Sequence, residues 1–160
     1  MMMKLSYEVL TRLSGRTLVT AESCTGGCIG AALTAIPGSS DVYKGGIISY
    51  TNEIKVDMLG VDAQLLHREG AVSAPVAEAM AVGARERFCA DVAVSVTGLA
   101  GPGGDKYGNP VGTVYIGYAD RNGVQSRRFV FSGSRDSVRQ QAVFAALELI
   151  LDLNQQGNKI

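Results

Sequence analysis

Apolar runs separated by glycine-rich turns divide this sequence into alternating strands and helices. Residues 16–21 and 92–97 combine apolar residues with β-branched side chains, which is typical of strands buried on both faces of a sheet. In longer segments the apolar residues recur every three to four positions, as on the buried face of a helix. The pattern predicts helices over residues 1–14, 26–35, 52–58, 63–69 and 73–88 and one that begins after Ser132 or Ser134, and strands over residues 16–21, 44–50, 92–97, 110–119 and 125–131.

Residues that begin and end helices support these boundaries. Thr51 and Asp62 are expected to cap the helices that follow them, and Gly60 is expected to end the first of these helices. Asn122 and Gly123 form a dipeptide typical of a β-hairpin, so the last two strands should be antiparallel neighbours. Strands that alternate with helices, together with one hairpin, predict an α/β fold, a three-layer α/β/α sandwich over a mixed sheet.

The composition favours a small-molecule partner. With 160 residues, of which 46% are hydrophobic, we expect one domain over residues 1–160. Lys+Arg 15 balances Asp+Glu 15, so no basic field favours binding of a nucleic acid. No segment approaches the roughly 20 apolar residues that span a bilayer, and the N-terminus lacks the features of a signal peptide. We therefore expect a cytoplasmic protein with neither a nucleic acid nor a membrane as its partner.

The sequence lacks motifs for cofactors and metals. The glycines after Cys24 do not follow the G-x-G-x-x-G spacing of dinucleotide-binding folds, and no G-K-[ST] follows them. The aspartates are isolated from one another, so no metal site is predicted. Cys24, Cys28 and Cys89 form no C-x-x-C pair, and their odd number argues against a disulfide framework. We expect no cofactor, no metal and a reducing compartment.

Three predicted strands end near hydroxyl side chains, at Ser23, Tyr50 and Thr97, and Lys55 follows the second of these closely. If the strands are parallel neighbours, their carboxyl ends share one edge of the sheet, where α/β proteins bind ligands. Ser23 needs a base to become a nucleophile, and a neutral, desolvated Lys55 with a hydroxyl partner such as Tyr50 could serve. Backbone N–H groups in the glycine-rich segments after Ser23 and Thr97 could stabilise an oxyanion.

Each of these residues also has an ordinary structural interpretation. A lysine on the first turn of a helix is usually a solvated surface charge, and serines or threonines at strand ends are most often helix caps. Cys24 competes with Ser23 as the nucleophile, because thiols are more reactive and a helix N-terminus lowers their pKa. His67, the only histidine, is better explained by the C-terminal end of its helix than by a serine-histidine pair.

A phosphate site is a further hypothesis, near the start of the last helix. Residues 132–136 combine small residues with Arg135, and Arg139 follows one helical turn later. Helix N-termini and arginine side chains both bind phosphate groups. An ordinary helix cap with solvated arginines is an equally good interpretation of the same residues.

Six segments of the chain occur in the order in which one protein family has them. They are residues 21–27 (AESCTGG), 49–55 (SYTNEIK), 70–73 (GAVS), 97–104 (TGLAGPGG), 110–114 (PVGTV) and 132–135 (SGSR). From about residue 6 to residue 151 the chain therefore resembles the C-terminal domain of the CinA competence/damage-inducible proteins. The stand-alone form of that domain is a nicotinamide mononucleotide amidase. The resemblance implies a mixed, mostly parallel five-stranded sheet like that of anticodon-binding domains.

The resemblance also implies a reaction and roles for individual residues. The carboxamide of nicotinamide mononucleotide would be hydrolysed to nicotinic acid mononucleotide and ammonia, within pyridine-nucleotide salvage. Ser23 would be the nucleophile and Lys55 its base, with Tyr50 and Thr97 as supporting hydroxyls. Two alternatives stay open, a catalytically silent binding module of the same fold and an amidase for a different carboxamide. We expect substrate contacts from Glu22, Thr25, Gly26, Gly27, Gly98, Ala100, Gly101, Arg135 and Arg139.

The resemblance leads to two expectations about the whole molecule. The family favours a homo-oligomer, a dimer or larger. Full-length CinA proteins carry a large N-terminal domain that resembles molybdopterin-binding proteins, and we expect that domain to be absent from this chain. Cys28 and residues 106–109 depart from the family pattern, which affects the expected fit of the substrate rather than the chemistry.

Overall fold

The computed structural model describes residues 1–155, so the last five residues of the predicted domain range lie outside the described residues. Strands and helices alternate along the chain in the order that the sequence predicts. The helices are α1 (Met2–Arg12), α2 (Cys28–Thr34), α3 (Asn52–Leu59), α4 (Ala63–Glu69), α5 (Ala74–Phe88) and α6 (Arg135–Leu153). The strands are β1 (Leu18–Glu22), β2 (Tyr43–Ile48), β3 (Val92–Gly98), β4 (Thr113–Asp120) and β5 (Gly123–Val130).

The strands form a five-stranded mixed sheet with the order β2-β1-β3-β4-β5. β1 pairs in parallel with β2 on one side and with β3 on the other. β4 runs antiparallel to both β3 and β5, so the predicted hairpin is present. The predicted α/β sandwich over a mixed sheet is confirmed, and the carboxyl ends of β1, β2 and β3 meet at one edge.

Helices cover both faces of the sheet, and each face has its own apolar core. On one face, α1, α2 and α6 pack around buried residues such as Leu13, Ile29 and Leu147. On the other face, α3, α4 and α5 pack around Val19 and Met80. β1 buries all five of its side chains because it lies in the middle of the sheet between these two layers.

The predicted caps and stops hold α3, α4 and α6 in place. Thr51, Asp62 and Ser134 each accept a hydrogen bond from an N–H group in the first turn of the helix that follows. Of the two serines proposed for α6, Ser134 is therefore the cap. Gly60 ends α3 in the left-handed conformation, with φ 68°. These contacts fix where each helix begins relative to the strand end before it.

One difference from the predicted boundaries changes the site. The sequence pattern opens α2 at residue 26, but Gly26 and Gly27 have φ values of 57° and 104°, in the left-handed region. Glycine adopts this region without the steric cost that a Cβ brings. The helix consequently begins at Cys28, and a tight turn lies directly after Ser23.

Candidate active site

A cleft of about 400 Å³ opens at the edge of the sheet where β1, β2 and β3 end. Ser23 follows β1, Tyr50 lies just beyond β2, and Thr97 lies near the end of β3. The loop after β3 and the start of α6 complete its walls. From the residues predicted for the site, the cleft brings together Ser23, Tyr50, Lys55, Thr97, Gly98, Ala100, Gly101 and Arg135.

The central contact of this cleft joins Lys55 to Ser23. The amine Nζ of Lys55 donates to Ser23 Oγ at 3.0 Å and to the carbonyl oxygen of Ser49 at 2.7 Å. Lys55 is 1% exposed and Ser23 is 7% exposed. Among residues 1–155, no carboxylate forms a salt bridge with Lys55. The interpretation of Lys55 as a solvated surface charge is therefore wrong.

The helix that carries Lys55 points it inward. Lys55 and Leu59 are the two buried residues of α3, and residues four apart lie on the same face of a helix. Leu59 packs in the core against α5, so Lys55 is held on the inner face one turn earlier. In the sequence, the apolar Leu59 four residues after Lys55 is the feature that could have indicated that this lysine is buried.

Burial lowers the pKa of Lys55 from 10.5 to about 8, and the neighbouring Cys24 opposes this shift only in part. The cause is desolvation, since removal from water penalises the charged ammonium. At pH 7, a pKa of about 8 leaves about one amine in ten neutral and able to accept a proton. The environment of Lys55 therefore suits a general base.

Tyr50 is not the hydroxyl partner of Lys55 that the sequence suggests. Its side chain is 59% exposed, and its hydroxyl accepts a hydrogen bond from Arg135 at 3.1 Å. Side chains alternate in direction along an extended strand, so Ser49 faces inward and Tyr50 faces the mouth of the cleft. The carbonyl oxygen of Ser49 contacts Lys55 in its place.

Thr97 and Arg135 hold the walls of the cleft. The Thr97 hydroxyl donates to the carbonyl oxygen of Ala71 at 2.8 Å, which fixes the segment before α5. Arg135 donates from Nη1 to the carbonyl oxygen of Gly101 at 2.7 Å as well as to Tyr50. The guanidinium therefore links two sides of the mouth of the cleft.

Cys24 borders the cleft but is poorly suited to be the nucleophile. It is 5% exposed, and burial raises the pKa of its thiol to about 11. The sequence suggests the opposite shift, through a helix N-terminus. Since the thiolate is the reactive form, a thiol that stays protonated near neutral pH leaves Ser23 as the better candidate.

Five residues predicted to contact the substrate do not line the cleft; they are Glu22, Thr25, Gly26, Gly27 and Arg139. The buried Glu22 carboxylate accepts from the Thr25 hydroxyl and from two N–H groups at the start of α2. This carboxylate therefore occupies the N-terminus of α2, in the segment after Ser23 whose N–H groups the sequence suggests for an oxyanion. Arg139 donates to the carbonyl oxygens of Cys24 and Thr25 at 3.0 and 3.4 Å, behind the turn.

The loop after β3 brings two residues with backbone N–H donors to the cleft. Ala100 and Gly101 are buried and line the cleft. None of residues 1–155 accepts a hydrogen bond from their N–H groups. Buried N–H groups are rarely left unpaired in proteins, so these two donors are suited to a ligand oxygen.

Other residues of the cleft are not predicted from the sequence. Asn52 opens α3 where β2 has ended, so the rule that ligands bind at strand ends could have indicated it. Ala71 and Val72 precede α5 and reach the cleft only through tertiary packing, which leaves no periodic pattern in the sequence. The unpredicted lining residues are Asn52, Ala71, Val72, Leu99 and Gly103.

Two structural features bear on metals and membranes. Within residues 1–155, no three His, Cys, Asp or Glu side chains come together in an arrangement that could hold a metal ion. In the same part of the chain, every helix is too short or too polar to cross a bilayer. His67 lies exposed near the end of α4 and does not line the cleft that contains Ser23.

Comparison with known proteins agrees with this fold. Residues 2–154 match the family model of the CinA C-terminal domain. A CinA-like protein of Thermosynechococcus vestitus is 55% identical over 138 residues, which cover 84% of this chain and 33% of that protein. A CinA-like protein of Citrifermentans bemidjiense is 52% identical over 140 residues, covering 88% of this chain and 34% of that protein. The chain thus spans about a third of the length of these curated relatives.

Solved structures extend the agreement to the whole architecture. The competence/damage inducible protein CihA of Agrobacterium tumefaciens superposes with a TM-score of 0.92 at 44% identity, covering 96% of each chain. A CinA superfamily protein of Escherichia coli gives a TM-score of 0.93 at 37% identity, covering 96% of this chain and 90% of that one. By sequence and by structure, the chain belongs to the CinA C-terminal domain family.

Proposed function

We propose that this chain hydrolyses the carboxamide of nicotinamide mononucleotide to nicotinic acid mononucleotide and ammonia through a serine-lysine mechanism. The observation that supports the mechanism most directly is the 3.0 Å contact between Lys55 Nζ and Ser23 Oγ in a buried cleft. The choice of substrate rests on the six sequence segments that resemble nicotinamide mononucleotide amidases.

In the first half of the reaction, neutral Lys55 accepts the hydroxyl proton of Ser23. One N–H of the amine stays directed at the carbonyl oxygen of Ser49, which turns the nitrogen lone pair towards Ser23. Ser23 Oγ attacks the amide carbon, and the C–N bond breaks as Lys55 returns the proton to the leaving nitrogen. The products of this half are ammonia and an ester on Ser23.

In the second half, water takes the place of ammonia. Lys55 accepts a proton from a water molecule that attacks the ester carbon, and then returns it to Ser23 Oγ as the C–O bond breaks. The acid leaves and the enzyme is restored. One buried amine serves both halves because its pKa of about 8 lets it gain and lose a proton near neutral pH.

The unpaired N–H groups of Ala100 and Gly101 are proposed to hold the developing oxyanion. Such a donor contributes roughly 3 to 4 kcal/mol in other hydrolases. Arg135, at the mouth of the cleft, is proposed to bind the phosphate group, since a guanidinium can bind phosphate through two parallel hydrogen bonds. Arg139 is left out of this role because it lies behind the turn.

The predicted setting of the protein also stays a proposal. Cys24, Cys28 and Cys89 are free thiols, which favours a reducing, cytoplasmic location. Assembly into a dimer or larger oligomer is favoured by the family resemblance.

A panel of carboxamides tests the substrate. The purified protein is mixed with nicotinamide mononucleotide, nicotinamide riboside and nicotinamide, and both ammonia and the acid product are measured. We expect equimolar ammonia and acid with the mononucleotide and much slower release from the two analogues that lack phosphate. Equal rates for all three would contradict a role for the phosphate, and no release from any would favour a silent binding module or a different carboxamide.

A further inference from the structure

The residue before the nucleophile is a buried carboxylate. Glu22 is 2% exposed and accepts hydrogen bonds from the Thr25 hydroxyl at 2.7 Å, from Ile29 N–H at 2.9 Å and from Gly30 N–H at 3.1 Å. No basic side chain within residues 1–155 forms a salt bridge with it. Burial of a charge is costly unless hydrogen bonds compensate, so these three donors account for its position.

The backbone of Glu22 belongs to a closed ring of contacts around the catalytic pair. Its carbonyl oxygen accepts from Ser49 N–H at 2.8 Å. The Ser49 carbonyl oxygen accepts from Lys55 Nζ, and Lys55 Nζ also donates to Ser23 Oγ. Ser23 is bonded covalently to Glu22, which completes the ring. Glu22 is therefore connected through its backbone to both partners of the contact between Lys55 and Ser23.

The side chain of Glu22 holds the turn that follows Ser23, which the strands leave free. Ser23 N–H is held by the carbonyl oxygen of Val96, but the chain then leaves the sheet through a turn with two left-handed glycines, Gly26 and Gly27. The carboxylate reaches across the turn to Thr25 and to the start of α2. The turn that follows Ser23 is thereby tied back to the residue that precedes it.

We infer that Glu22 is a positioning residue, which sets the orientation of Ser23 towards Lys55 without touching the substrate. The inference rests on the proposed function, because it concerns the same serine and lysine. It replaces the sequence-based prediction that Glu22 contacts the substrate, since the carboxylate is buried and lies outside the cleft lining.

A carboxylate suits this role better than an amide. All three partners of Glu22 donate hydrogen bonds, and an ionised carboxylate only accepts them. In Glu22→Gln, the NH₂ group would face either the Gly30 N–H or the donors on the other oxygen, so at least one buried donor loses its acceptor. Thr25→Val removes the hydroxyl donor with little change of shape, and Thr25→Ser keeps that hydroxyl.

The test compares these variants with a matched control elsewhere. Asp91 accepts hydrogen bonds from the Thr17 N–H and hydroxyl at the opposite ends of β1 and β3, so Asp91→Asn disturbs a solvent-exposed contact between a carboxylate and a threonine, far from Ser23. Steady-state kinetics with nicotinamide mononucleotide give kcat and KM. A fluorophosphonate probe, followed by intact mass, gives the reactivity of Ser23 with no need for the natural substrate. In that reaction Ser23 Oγ bonds to phosphorus, fluoride leaves, and Lys55 takes the proton.

For Glu22→Gln and Thr25→Val we expect kcat and the labelling rate to fall about 10- to 100-fold, the loss that small misplacements of reacting groups produce. KM should stay within about twofold of the wild type, because Glu22 does not line the cleft. Thr25→Ser should be at least about fivefold faster than Thr25→Val. Asp91→Asn should match the wild type in both rates.

The outcomes separate the two proposals. A higher KM with unchanged kcat in Glu22→Gln would overturn the positioning role in favour of substrate contact. Wild-type labelling rates in both Glu22→Gln and Thr25→Val would overturn it too, even if their melting temperatures fall. If the wild type labels at Ser23 and the variants label slowly, but no mononucleotide is hydrolysed, the positioning role stands and the proposed substrate is wrong. If Glu22→Gln fails to fold, the comparison of Thr25→Val with Thr25→Ser tests the positioning role alone.

Discussion

Lys55 is a basic side chain that folding has removed from water, with a carbonyl and a hydroxyl as its hydrogen-bond partners. An ammonium in such a place loses hydration that two neutral acceptors do not fully replace. Burial therefore shifts the equilibrium towards the neutral amine, and the pKa falls to about 8. Loss of hydration makes the burial of Lys55 costly, and the same loss of hydration lowers its pKa enough for it to act as a base.

The activity should therefore rise with pH through the pKa of Lys55. The general base must be neutral, and its neutral fraction grows as the pH increases through about 8. We expect log kcat/KM for nicotinamide mononucleotide to climb with a slope of about one below this pH and to level off above it. A profile that stays flat between about pH 6.5 and pH 8 would contradict Lys55 as the general base.

The stability of the protein should follow the same group. The folded pKa of Lys55 is about 8 against 10.5 for the ordinary side chain, so between these values the unfolded state binds more protons and stability rises with pH. Lys55→Met removes this dependence. We expect the free energy of unfolding of the wild type to gain about 2 to 3 kcal/mol relative to Lys55→Met between pH 7 and pH 10.

Urea denaturation of both proteins at the two pH values measures this difference, and the comparison cancels titrations that the two proteins share. A difference that is independent of pH would mean that Lys55 stays charged in the folded state.

The positions of Ser23 and Thr97 at strand ends predict that they share a site if their strands are parallel neighbours. Residue pattern alone does not distinguish Lys55 from a solvated surface lysine, so its place in the site is indicated only by the family resemblance. The direction of a side chain is harder to predict. The sequence suggests Tyr50 as the partner of Lys55, yet the alternation at the end of β2 turns Ser49 inward and Tyr50 outward. Every residue has a main-chain carbonyl group, so the sequence alone could not indicate that the Ser49 carbonyl is a partner of Lys55.

At the scale of elements, α3 must sit close to α5 for Lys55 to reach Ser23. Gly83 of α5 makes this approach possible, since a Cβ there would come within 1.9 Å of the carbonyl oxygen of Leu59, the last residue of α3. The helix pattern of α5 is visible in the sequence. The reason for the glycine cannot be read from the sequence, because it depends on a tertiary contact with Leu59, which lies 24 positions earlier in the chain.

Gly83→Ala should destabilise the protein although alanine is the better helix former. Its methyl group would push α3 away, a clash that costs about 1 to 3 kcal/mol in packed interiors, against a helix gain of about 1 kcal/mol. Displacement of α3 should also lower kcat, since that helix carries Lys55. The matched control is Glu86→Ala, at an exposed position of the same helix. Thermal melting and kcat that rise or stay equal in Gly83→Ala would refute close packing as the reason for the glycine.

At the scale of the molecule, two cores share one sheet. Leu18 and Val94 pack into the core under α1, α2 and α6, whereas Val19 and Ala93 of the same strands pack into the core under α3, α4 and α5. Neither core can unfold without loss of packing against β1 and β3. The cleft lies at the ends of these two strands and of β2, so its geometry depends on both layers.

Unfolding should therefore be cooperative across the two layers. Leu147→Ala and Met80→Ala each empty a fully buried position in one of the cores, and such changes typically cost 2 to 5 kcal/mol. We expect each variant to lower the midpoint of one common transition, followed by calorimetry and far-UV circular dichroism. Two separated transitions in either variant would show that the layers unfold independently.

The proposed mechanism requires that Ser23, activated by Lys55, breaks an amide bond. The most direct measurement is ammonia release from nicotinamide mononucleotide by the wild type, Ser23→Ala, Lys55→Met and Cys24→Ala, each checked for folding by circular dichroism. We expect turnover by the wild type and Cys24→Ala, and at least about a thousandfold loss in the other two variants, because Ser23 and Lys55 act as a unit. Substantial ammonia release by Ser23→Ala, with loss of activity in Cys24→Ala, would contradict this mechanism.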